Sequence, residues 1–138
     1  MSIEAIQAEI IDEFDMFDDW EERYQYMIDL GKSLPKIKDE FKTEENIIKG
    51  CQSKVWLHGE NNDGQVVFTA DSDAILTKGI IAILIRTFSH QKPKDILKAN
   101  MDFIDKIGLK EHLSATRANG LVSMIKNIKM YALAFSNS

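Results

Sequence analysis

Two short β-prone runs meeting at Asn61-Asn62-Asp63-Gly64 constrain this chain most, because Asp-Gly between such runs is a strong local hairpin signal. Val55 and Leu57 lie on one side and Val66, Val67 and Phe68 on the other, which predicts strands at 54–60 and 65–70. Residues 46–49 are expected to supply a third strand before a bend at Gly50-Cys51. A small sheet of this kind has a face that other elements must cover.

The rest of the chain reads as helix. Ile3, Ile6, Ile10, Phe14 and Phe17 recur at spacings of three and four, predicting a helix over 2–15. Its acidic residues Asp12, Glu13 and Asp15, with Asp18 and Asp19 beyond, are expected to form a solvated face. Asp18 and Glu21 imitate a capping box ahead of a helix over 19–30, with Gly31 as its stop. Residues 32–43, with Pro35, read as a connector. Asp71 or Ser72 is expected to cap a helix over 73–88, whose wide apolar arc marks it as central, and Gly79 inside it as a close-packing site. Pro93 opens a short helix over 93–99, Gly108 ends another over 101–107, and a long helix follows over 117–135. The predicted fold is α+β, a three-stranded antiparallel sheet covered by helices, in one domain over 1–138.

Composition narrows the function. With 44% hydrophobic and 28% charged residues the chain can build one ordinary core, and its net charge of −5 does not supply the basic footprint of a nucleic-acid binder. The longest apolar stretch, 79–85, lies between Lys78 and Arg86 and falls far short of the roughly 20 residues that span a bilayer. The N-terminus lacks the basic start and apolar block of a secretory signal, so a cytoplasmic location is expected. There is no P-loop, Rossmann glycine fingerprint or metal-ligand cluster, so no bound cofactor or metal is expected.

Cys51 is the only cysteine, so any thiol chemistry passes through it. A solitary cysteine is often a small buried hydrophobe. Here Gly50 precedes it and the polar Gln52 and Ser53 follow, which places Cys51 at a loop tip just before a strand. A working thiolate wants a nearby cation or N–H donors. Arg117, ahead of Asn119-Gly120 at the start of the last helix, is the electrostatic candidate if the loop folds back. His58 lies seven residues along a strand, more than ~20 Å away at the usual rise, and His90 and His112 read as surface or helix-end residues. A Cys/His hydrolase is disfavoured. Trp56 reads as a sheet or interface residue.

The segment Glu45-Asn46-Ile47-Ile48-Lys49-Gly50-Cys51-Gln52-Ser53-Lys54-Val55-Trp56-Leu57 resembles the cysteine motif of the SufE family of sulfur acceptors. Asp71-Ser72-Asp73-Ala74 leading to Leu84, and Arg117-Ala118-Asn119-Gly120-Leu121 leading to Met124, fit the same family in order and spacing. Trp20 to Tyr24 and Leu34-Pro35 resemble its opening, so the likeness spans about 8–135. One departure is Ala115, where the family commonly has a proline; another is the variable loop at 61–64.

The resemblance implies a SufE fold, similar to IscU-type scaffolds, and a role in iron–sulfur cluster biogenesis. It implies that Cys51 takes sulfur from the persulfide of a SufS-type cysteine desulfurase, stimulates that enzyme, and delivers the sulfur to a SufB-containing scaffold complex. Pyridoxal phosphate resides on the desulfurase, and this chain is a carrier rather than a stand-alone enzyme. Gly50, Gln52, Ser53, Arg117 and Asn119 are the supporting residues, and the loop is shielded when free and extended on docking. A CsdE-type protein serving a different desulfurase shares these motifs. An iron–sulfur scaffold and a plain protein-binding domain are the other classes, and one cysteine argues against the scaffold. Monomer and homodimer both remain open.

Overall fold

The computed structural model describes residues 1–51 and 53–137. Its elements follow the order α1 (Ile3–Asp15), α2 (Trp20–Lys32), β1 (Val55–Asn62), β2 (Gln65–Ser72), α3 (Ile75–Phe88), α4 (Pro93–Lys98), α5 (Asp102–Lys106), α6 (Leu109–His112) and α7 (Ala115–Ser136). The α+β reading holds.

The hairpin forms where expected. β1 and β2 pair antiparallel from Val55 opposite Ser72 to Asn62 opposite Gln65. Asp63 and Gly64 both take positive φ, +53° and +86°, as a tight two-residue hairpin turn requires. Val55, Leu57, Val66, Phe68 and Ala70 alternate inward and are buried against the helices.

The third strand does not form. Residues Glu44–Asn46 make a 3-10 turn, and Ile47 joins β1 through an isolated antiparallel bridge to Trp56. The space beside β1 is taken by α7, whose Tyr131 hydroxyl reaches Leu57 O at 3.3 Å and Asn46 Oδ1 at 3.4 Å. Isolated bridges from Lys36 to Ala70 and from Gln91 to Val66 cover the outer edge of β2.

The helix α3 is central, as predicted, with ten of its fourteen residues buried. Neither Asp71 nor Ser72 caps it: β2 continues through Ser72, and Ala74 occupies the cap position without a side-chain bond. The helix α2 is capped by Asp19, not Asp18, whose place one residue earlier lies outside the cap; the Asp19 carboxylate accepts from Glu22 N at 2.8 Å. Nor does Gly31 stop it. Gly31 lies inside α2 and faces Gly79 of α3, where a Cβ on Gly79 would sit 2.3 Å from Met27 O. Glu13 departs from the solvated acidic face, pairing with Arg86 through two bonds of 2.7 and 2.5 Å that tie α1 to α3.

The short helix α6 adds to the predicted set, and α7 starts two residues before 117. Ser114 caps α7 by accepting from Arg117 N at 3.3 Å. Ala115 is thus the first helical residue, a position where proline is favoured but not required. Among the described residues no helix is long and apolar enough to cross a membrane.

Candidate functional site

The cysteine sits on a loop held firmly at its base. Ile48 N donates to Val55 O at 2.8 Å, closing the loop where β1 begins. Lys54 is bracketed by the turn after β2: its N–H donates to Asp73 Oδ1 at 3.1 Å, and its carbonyl accepts from Ser72 Oγ at 2.9 Å and Asp73 N at 3.2 Å. Asp71 anchors that turn from below. Its carboxylate meets Lys42 Nζ at 3.0 Å, Lys78 Nζ at 3.3 Å and Ser72 N at 2.8 Å. Burial pushes the Asp71 carboxyl up, but the two lysines and the N–H together outweigh it, so it titrates below the ordinary aspartate range. Lys42 also lies over the Trp56 ring, 4.7 Å from its centroid, which fixes Trp56 beside the sheet.

From this base the chain turns at Gly50, whose φ is +95° and whose missing Cβ leaves room for Ser123 Oγ. Cys51 then lands on α7 at Gly120. A Cβ on Gly120 would lie 3.2 Å from Cys51 Sγ, and the thiol faces the Gly120 carbonyl at 3.7 Å. Cys51 is half-buried and free. Burial pushes its thiol above the ordinary cysteine range, so at neutral pH the seated sulfur is protonated.

Beside the sulfur lies a cavity of about 210 Å³, lined by residues from the loop (Cys51, Ser53), the first turns of α3 (Ala74, Thr77, Ile80) and the start of α7 (Thr116, Arg117, Gly120, Met124). Ser53 Oγ donates to Thr77 Oγ1 at 3.1 Å across its wall. Arg117, exposed on the first turn of α7, is the charged residue among these lining side chains.

The structure brings together three of the predicted site residues: Cys51, Ser53 and Arg117 line one cavity, and Gly50 shapes the approach to it. Asn119 is exposed and does not line it. Gln52 lies outside the described residues. Thr77 and the packing role of Gly120 escaped the sequence reading; a glycine inside a helix, which costs about 1 kcal/mol against alanine, was the available signal for the latter.

No histidine serves as a base for the thiol. His58 stacks on Phe41 at 3.8 Å and bonds Glu60, His112 stacks on Trp20 at 3.8 Å, and none of the three lines the Cys51 cavity. Among the described residues no group of three or more His, Cys, Asp or Glu is placed to hold a metal ion. A more apolar cavity of about 320 Å³ lies between the end of α2, β2 and the end of α3, with Ser33, Thr69, Ser89 and His90 among its lining residues.

Comparison with known proteins bears on this site. The profile of the family described as "SufE: Fe-S metabolism associated domain" matches residues 8–132, which includes every element of the cysteine site. A SufE-like protein of Rhizobium meliloti is 44% identical over 129 residues, covering 90% of this chain and 92% of the relative. A SufE-like protein of Rhizobium etli is 43% identical over 126 residues, covering 88% and 85%. The solution structure of a hypothetical protein from Thermus thermophilus superposes with a TM-score of 0.81 over 96% of this chain and 97% of that one. At 18% identity, that likeness speaks to the fold alone.

Proposed function

This chain belongs to the SufE family, whose domain serves sulfur transfer in iron–sulfur metabolism, and from that premise we propose that Cys51 is a persulfide-forming sulfur acceptor. The donor is the persulfide of a SufS-type cysteine desulfurase, which this chain stimulates by removing its product, and the recipient is a SufB-containing scaffold. The observation that carries the reading is the placement of the chain's sole thiol on an anchored loop, beside a cavity lined by Ser53 and Arg117 and by none of the three histidines.

A thiol nucleophile is activated by an adjacent base or by a lowered pKa, and Cys51, protonated when seated, has to lose its proton before it attacks. The Cys51 thiolate attacks the outer sulfur of the donor persulfide. A new S–S bond forms on Cys51 Sγ, the donor's S–S bond breaks, and the donor cysteine leaves as a thiolate that takes up a proton. The sulfane sulfur moves without net oxidation or reduction, as in thiol–disulfide exchange. A lone thiol suits this traffic, because a second nearby thiol would discharge the carried sulfur and close a disulfide. The carrier is proposed to need no cofactor of its own, pyridoxal phosphate being the desulfurase's.

The test is the intact mass under non-reducing conditions after incubation with a SufS-type desulfurase and L-cysteine, followed by peptide mapping. A reducible gain of whole sulfur atoms on the Cys51 peptide is expected, and none in Cys51→Ser. Loading that persists in Cys51→Ser would sink the proposal.

A further inference from the structure

Cys51 Sγ is half-buried and packed on α7, so lifting its loop increases its exposure to another protein's persulfide. What holds it down is therefore what sets access. Between the closing bond at Ile48 and the bracket at Lys54, the described residues make two polar contacts with the body of the protein. One is the Cys51 thiol against Gly120 O at 3.7 Å, a weak sulfur contact. The other is Ser53 Oγ to Thr77 Oγ1 at 3.1 Å, an ordinary hydrogen bond. Thr77 is 7% exposed on the first turn of the central helix, while Ser53 rides on the loop.

The threonine hydroxyl is not needed by the helix. Valine has nearly the same shape and a similar helix propensity, and α3 takes no cap from Thr77. We infer that Thr77 is a positioning residue for sulfur transfer: acting through Ser53, its hydroxyl latches the Cys51 loop over the cavity and so sets how often the thiol is presented. The inference rests on the reading of Cys51 as the acceptor, but its first test does not.

That test is the rate of Cys51 alkylation by iodoacetamide in the full-length chain at fixed pH, for wild type, Thr77→Val, Ser53→Ala and the double variant. A net hydrogen bond of ordinary strength corresponds to about a two- to tenfold change in the lifted population, so each single variant is expected to react about two- to tenfold faster. The double variant is expected to match the singles, since both remove one interaction. Thr77→Ser, which keeps the hydroxyl, restores the slow rate. Thermal midpoints are expected to stay within a few degrees of wild type, because Ser53 is partly exposed and can turn to water. Unchanged alkylation, or effects that multiply in the double variant, overturns the latch, as does a rise in reactivity that follows a general loss of stability.

The second readout is sulfur loading by a SufS-type desulfurase. Because a binding-competent state populated only in part weakens apparent affinity by that fraction, the carrier concentration for half-maximal loading is expected to fall in Thr77→Val by the same factor. The maximal rate stays. Faster alkylation with no loading in any variant would leave the latch standing and sink the acceptor reading. Loading with unchanged alkylation would do the reverse.

Discussion

Two glycines let two parts of this molecule come unusually close, and they do so for opposite ends. At the α2/α3 crossing, Gly79 admits backbone: a Cβ there would lie 2.3 Å from Met27 O and 2.8 Å from Met27 C, with Gly31 opposite. On α7, Gly120 admits a side chain on a loop: the nearest atom to its missing Cβ is Cys51 Sγ at 3.2 Å. Backbone of a buried helix cannot yield, whereas a sulfur on a short loop can. The first contact is a permanent joint of the fold and the second is a seat from which the thiol can rise.

The largest expected effect tests the joint. Gly79→Ala forces two helices apart at their point of closest approach, and overpacking there is expected to cost about 3 kcal/mol despite the ~1 kcal/mol alanine gains in helix propensity. Thermal unfolding should fall by roughly 10 °C for a domain of this size. A midpoint within a degree or two of wild type would mean that the crossing is not the rigid element described.

Next comes the loop's anchor. Asp71→Asn takes the charge from a buried carboxylate facing Lys42 and Lys78 and is expected to cost about 1–3 kcal/mol. The pH dependence follows from sign. The folded carboxyl titrates below its unfolded value, so its contribution is present above the unfolded value near ~3.9 and is lost as pH falls through the lower folded one. Denaturant melts at neutral and acid pH should show the variant and wild type converging in acid. A gap that stays constant would remove Asp71 from the anchor.

The seat should respond with the other sign. Gly120→Ala places a Cβ 3.2 Å from Cys51 Sγ, which the loop can relieve by shifting outward, while α7 gains up to ~1 kcal/mol in propensity. Unchanged or slightly raised stability is expected, together with faster alkylation of Cys51. A destabilisation like that of Gly79→Ala would show the two glycines to be equivalent and erase the distinction.

The sequence discloses these two regions unequally, for physical reasons. The hairpin is legible because its turn is local: Asp63 and Gly64 carry the positive φ values themselves. The cysteine loop is legible through Gly50 and its neighbours, and Gly79 because glycine inside an apolar helix has few other uses. Gly31 reads wrongly as a stop, since nothing local distinguishes a helix end from a glycine that a distant helix crosses. The third strand fails for the same reason: the edge it would use is occupied by Tyr131, which is 74 positions from Leu57. Asp18 and Asp19 differ by one position and are chemically identical, so the cap falls to whichever the chain's entry angle favours. Thr77 gives no signal, because its role depends on a loop 24 residues away meeting the first turn of α3.

The smallest effect sharpens the seat itself. Burial raises the Cys51 pKa when the thiol rests on Gly120, whereas a lifted loop offers an ordinary thiol near ~8.5. The seated form therefore holds its full advantage below that ordinary value and loses it as pH rises through the raised one, because ionisation favours the exposed thiolate. Following thiolate absorbance in the ultraviolet against pH, wild type is expected to titrate above the ordinary cysteine range. Gly120→Ala, whose loop is already displaced, is expected to titrate nearer to it. The joint at Gly79 contains no titrating group, so Gly79→Ala should leave the Cys51 curve unmoved wherever the protein remains folded. If Gly120→Ala keeps the wild-type titration, the sulfur's burial comes from the cavity walls on α3 and not from its contact with α7.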